Sequence, residues 1–170
     1  MYRLAVLCSA LVLLALASAR AQVARPPATP AQAIAGHFAG VNQRILEMAK
    51  DFPADKYTYH PTPEVRTFAD VIVHVLSGNV YAAKAGRGEK VSWDEVNPKS
   101  LAGKTEVVAA LEKSIGDATA TLKATPPEHF AQTLEPWLSV IEHSAEHYGQ
   151  LVVYYRGNGL VPPASRPKKP

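Results

Sequence analysis

Cysteine is almost missing from this sequence: of 170 residues only Cys8 is one, and it lies inside an apolar N-terminal run. Downstream of that run no disulfide can form, and no thiolate can act as nucleophile or ligand. A metal ion there must be held by nitrogen and oxygen. A charge excess is missing too. The formal net charge is +3, but Arg3 and Arg20 belong to the N-terminal segment, and without them 16 basic residues face 15 acidic ones. The remaining basicity gathers in a tail carrying Arg166, Lys168 and Lys169. That is no nucleic-acid footprint, and no nucleic-acid partner is expected. No segment alternates apolar and polar residues with period two, so no sheet is expected. No internal repeat is present.

The apolar run itself, LAVLCSALVLLALA, is about 14 residues long, short of the roughly 20 needed to span a bilayer. It follows a basic start, MYR, and precedes the small-residue site Ala19-Arg20-Ala21. That pattern predicts a cleavable signal peptide over residues 1–21 and a periplasmic or secreted protein. An uncleaved anchor is the alternative left open; after cleavage no stable membrane insertion is expected. Residues 22–30, QVARPPATP, read as a proline-rich linker, and residues 161–170, VPPASRPKKP, as a tail that cannot be helical throughout. One domain is expected between them, over residues 31–160.

Four helices fit that stretch. The first covers about Ala31–Asp51, with Ile34, Phe38, Val41, Ile45, Met48 and Phe52 at spacings of three and four. The second covers about Pro63–Ala83, with Thr62 as N-cap and Pro63 in the first position. The third covers about Thr105–Ala124 and stops at Pro126-Pro127. The fourth covers about Leu134–Arg156. Amphipathic helices of this length pack as an all-α four-helix bundle. The connection Gly86–Lys104 is long for antiparallel neighbours, which predicts a crossover over one end of the bundle.

The candidate site lies in HSAEHYGQ. His143 and His147 are about 40° apart in rotation and about 6 Å apart along a helix, so both can reach one ion. Leu134, Trp137, Leu138, Ile141, Ala145, Tyr148, Val152 and Tyr155 form the main stripe of that helix; the histidines fall at the far margin of a wider apolar arc. On the second helix His74 also lies off the main stripe, with Gly78 one turn on leaving space beside it. Three neutral imidazoles with open positions would suit zinc, nickel or iron. The competing reading is a set of hydrogen-bonded histidines without an ion.

The segments YTYHPTPEVRTFADVIVHV, KTEVVAALEKSI and HSAEHYGQLVVYYRGNGLVPPAS resemble the DinB/YfiT-like family over about residues 31–165. The resemblance implies an antiparallel four-helix bundle with a long crossover between helices two and three. It also implies a divalent-metal site of His74, His143 and His147. Zinc and nickel are the expected ions, with iron less favoured. Two positions depart from the family pattern: His60 and Tyr148 stand where relatives often carry arginine. Both bear on a substrate pocket; neither removes a ligand.

Other motifs fail. HSAEH is no zinc-protease H-E-x-x-H, because Ser144 holds the glutamate position. Gly103-Lys104-Thr105 lacks the first glycine of a phosphate loop, where Pro98 stands. His37 reads as exposed or structural and His129 as a loop residue. Tyr57 and Tyr59 read as packing over the bundle end, and Trp93 as core or cap. Glu142 and Glu146 fall on the polar face, and no catalytic acid or base is identified. Two function classes follow. One is a metal-dependent enzyme activating a bound water or thiol, acting on an unknown small molecule. The other is a non-catalytic metal-binding or interaction module. A homodimer is left open.

Overall fold

The structure is a computed structural model that describes residues 29–167. The predicted signal peptide, nearly all of the linker and the last three residues of the tail lie outside the described residues. Four long helices account for most of what is described: α1 (Pro30–Asp51), α2 (Phe68–Gly86), α3 (Gly103–Ala124) and α4 (Leu134–Gly157). There is no strand among the described residues. The all-α four-helix bundle with a long crossover is therefore the architecture observed.

Side-chain hydrogen bonds cap the starts of three of the four long helices. Thr29 caps α1: its hydroxyl accepts from Gln32 N at 3.2 Å, and Gln32 Oε1 accepts from Thr29 N at 2.9 Å. Helix α2 begins five residues later than the sequence suggests, at Thr67 rather than Thr62. Thr67 and Asp70 form the reciprocal capping pair. The reason is tertiary. Phe68 N donates to Tyr59 O and Ala69 N to Tyr57 O, both at 2.9 Å. Those donors are unavailable to a helix running in from Pro63. Helix α3 starts two residues earlier than expected, at Gly103, where Glu106 reaches back to Ala102 N at 2.7 Å.

Each long helix packs mainly on two others, in the ring order α1–α3–α2–α4. Directions follow from which ends meet. Phe38 meets Trp137, and Tyr155 donates to Met48 O, so α1 and α4 run parallel. Lys104 reaches Phe52 O at one end of the bundle and Arg87 reaches Thr121 at the other, so α2 and α3 also run parallel. The two pairs oppose each other.

Parallel α2 and α3 explain the crossover, and they correct its expected path. A 19-residue α2 is about 28 Å long, and the connection must return that distance. It therefore runs down the side of the bundle instead of over one end. Val96 N anchors it to Ser77 Oγ on α2 at 3.0 Å.

Two apolar clusters fill the interior. One stacks Phe52 on Phe68, centroids 3.9 Å apart, beside Tyr57 and Tyr155. The other surrounds Phe38, Leu122, Trp137 and Val140. Between them lies a buried polar layer in which Asn79 Nδ2 donates to Asn42 Oδ1 at 2.9 Å and to Ser114 Oγ at 3.3 Å.

Candidate metal centre

His74 projects from α2, and His143 and His147 project from α4 one turn apart. Because these helices are antiparallel neighbours, the three rings meet. One ligand atom from each lies within 4.8 Å of the others. His74 Nε2 and His143 Nε2 are 3.0 Å apart. Ring centroids are separated by 4.7 Å for His74–His143, 4.8 Å for His74–His147 and 4.5 Å for His143–His147.

Helix α4 is turned relative to the expected stripe. Its buried residues are Trp137, Val140, Ser144, Leu151, Tyr154 and Tyr155. That face lies roughly 80° around the helix from the stripe read in sequence. Leu138 is 49% exposed, although it stood on that stripe. Apolar residues cover so much of α4 that the pattern alone does not fix its direction. The small, polar Ser144 at the centre of the buried face also falls outside any count of apolar residues. The turn places both histidines closer to the α2–α4 groove than their position at the margin suggested.

Outer partners hold two of the rings. His147 Nδ1 is 2.8 Å from Gln150 Oε1. His74 Nδ1 is 2.7 Å from Glu95 Oε1, a close contact that lies off the ring N–H direction. Arg66 holds the same carboxylate oxygen at 2.9 Å. His143 Nδ1 is buried and has no hydrogen-bond partner.

Trp93, read from sequence as core or cap, lies instead across the histidines. Its ring centroid is 4.9 Å from that of His143 and 6.2 Å from that of His74. Gly78 makes this possible. A Cβ there would sit 2.8 Å from Trp93 Cη2 and 3.2 Å from His143 Nδ1.

The electrostatics favour neutral rings at His143 and His74. Burial first, then the neighbouring His147 and His74, then Arg66, push His143 down to about 4. Burial and then Arg66 lower His74, with Glu95 opposing. Neutral imidazole is the form that ligates a metal. The donor set also fits an ion: three nitrogens converge, the far nitrogen of His147 meets Gln150 Oε1, and a carboxylate oxygen lies close to the far nitrogen of His74; outer acceptors of this kind orient metal-bound imidazoles.

The remaining histidines stay apart. His37 and His129 are exposed, and His60 is exposed with Nδ1 2.7 Å from Thr62 O. Tyr148 takes Arg44 over its ring at 5.1 Å. Tyr57 is buried and donates to Ala49 O at 2.5 Å, while Tyr59 packs edge-on to Tyr154. Glu142 and Glu146 are exposed. A cleft of about 590 Å³ lies where α2 and α3 end, lined by Arg87, Thr121 and His129 among others, and includes none of the three clustered histidines. The sequence reading missed Arg66, Glu95 and Gln150. Gln150 follows His147 by three, a helical neighbour spacing that could have flagged it. No sequence signal places Glu95 against His74.

The model of the DinB superfamily matches residues 37–154, a span that contains all three histidines. The chain belongs to the DinB superfamily. No curated protein matches it. Within that family, the three histidines are positioned to hold a metal ion.

Proposed function

We propose that the chain is an exported, metal-dependent enzyme in which His74, His143 and His147 bind one divalent ion. The observation that carries this reading is the convergence of three imidazoles, from two helices, within 4.8 Å. An all-nitrogen donor set favours zinc or nickel, with iron also compatible. A bound ion would acidify a water or thiol held beside it. An oxidising compartment, expected from the N-terminal pattern, argues for water over a small thiol. The protein's own residues supply three imidazole ligands, an apolar wall at Trp93 and a positive charge at Arg66. The substrate is a small molecule.

Protein purified without chelator or affinity resin should carry about one ion per chain by mass spectrometry, following the one-site donor set. A small-molecule activity screen should then find turnover that His143→Ala abolishes. Metal-free protein, or turnover unchanged in that variant, would contradict the proposal. Export is tested by intact mass: secreted protein should begin near Gln22, and a soluble cytosolic chain retaining residues 1–21 would oppose it. One feature favours a non-catalytic metal-binding module instead: Trp93 covers part of the centre. A stoichiometric ion with no exchangeable water would support that second reading.

A further inference from the structure

We propose that Glu95, carried on the crossover, is a positioning residue for the histidine centre: it fixes His74 in the tautomer whose Nε2 faces His143 and His147, and so ties the crossover to metal binding. This rests on the metal-site reading above.

The carboxylate beside the ring favours one tautomer. Glu95 Oε1 lies off the ring N–H direction, but a bare ring nitrogen would repel a carboxylate oxygen at 2.7 Å, so the contact favours the proton on His74 Nδ1 and leaves Nε2 bare. Across the 3.0 Å contact, His143 Nε2–H then donates to His74 Nε2. That leaves His143 Nδ1, which is buried without a hydrogen-bond partner, as the bare nitrogen.

Glu95 is itself held in place by a continuous chain of contacts. Arg66 grips its carboxylate, and Arg66 O accepts from Tyr154 OH. Tyr154 OH accepts from Gln150 Nε2 at 3.3 Å, and Gln150 Oε1 faces His147 Nδ1 at 2.8 Å. One network thus runs from the outer nitrogen of His74 to the outer nitrogen of His147, with the ion's place between the two rings. It passes through the crossover at a single residue. Glu95 is followed by Val96, whose backbone is pinned to Ser77. Metal held by His74 should therefore restrain the crossover, where Arg87, Lys90 and Lys99 are exposed.

The test uses the metal-free full chain and zinc. Long-range ¹H–¹⁵N correlation of histidine side chains should show His74 protonated at Nδ1 in the wild type and mixed in Glu95→Ala. Zinc affinity should fall about 10–100-fold in Glu95→Ala, the usual effect of removing an outer partner of a ligand. Glu95→Gln keeps an acceptor and should recover most of that loss. Zinc should slow tryptic cleavage at Arg87, Lys90 and Lys99 in the wild type, and not in Glu95→Ala. The metal-free melting point of each variant reports folding independently. Wild-type zinc affinity in Glu95→Ala, or His74 protonated at Nε2 in the wild type, would overturn the proposal. If His74→Ala also keeps full affinity, the metal site itself is refuted and Glu95 with it. If only Glu95→Ala is unaffected, the site stands and Glu95 has no part in it.

Discussion

At the level of single residues, the centre depends on a contact between a glycine and an indole. The chain has two tryptophans, and they report on different places. Trp137 is fully buried, whereas Trp93 is 36% exposed and lies against His143. Metal binding should therefore change tryptophan emission through Trp93 alone, and Trp93→Phe should abolish the metal-induced change. Gly78→Ala should displace the Trp93 ring and shift its emission to longer wavelength, with a stability loss of about 1–3 kcal/mol from overpacking. Unchanged emission in Gly78→Ala would contradict the placement of Trp93. His143 supplies a pH dependence. Its folded pKa is depressed from 6.5 to about 4, so the metal-free fold resists a proton that the unfolded chain accepts. Its stabilising contribution is present above about 6.5 and is lost as pH falls toward 4. Melting curves of metal-free protein across that window should fall more steeply for wild type than for His143→Ala; equal slopes would refute the depressed value.

At the level of elements, the start of α2 is the clearest test of what local signals decide. Thr67→Ala removes a reciprocal cap and should cost about 1 kcal/mol, a fall of roughly 2–4 °C in melting temperature. Thr62→Ala should leave it unmoved, and the reverse result would restore a helix start at Pro63. Both threonines precede plausible first turns, so sequence could not rank them. The choice falls to the carbonyls of Tyr57 and Tyr59, which take the amides of Ala69 and Phe68. Such contacts are non-local in origin and leave no periodic trace. The direction of α4 was hidden for a related reason. A helix apolar over most of its circumference has several acceptable buried faces, and the neighbours choose among them. In α1 the spacing picks out Phe38, Val41, Ile45 and Met48, which are buried, but not Asn42, Leu46 and Ala49, which are buried beside them, and Ile34 from the same stripe is only half-buried.

At the level of the whole molecule, the crossover determines both topology and site. It lets α2 and α3 run parallel, which makes α2 and α4 antiparallel neighbours and brings His74 to the His143–His147 pair. The pair was legible from its spacing, and the bundle from four amphipathic segments. His74 was legible as a partner mainly through family resemblance, since nothing within one helix records what faces it. The part played by the crossover could be inferred from its length but not its contacts, so Trp93 and Glu95 were not expected at the site.

If His74, His143 and His147 act as one metal site, added ion must raise the thermal stability of the fold through all three. A ligand that binds only the folded state adds about 2.7 kcal/mol at 100 times its dissociation constant. For a chain of this size that is roughly 5–11 °C in melting temperature. Zinc or nickel should raise the wild type, His37→Ala and His129→Ala by this amount. It should leave His74→Ala, His143→Ala and His147→Ala nearly unmoved, with their metal-free folds intact. A full metal-induced shift retained in His74→Ala would mean that the ion binds elsewhere.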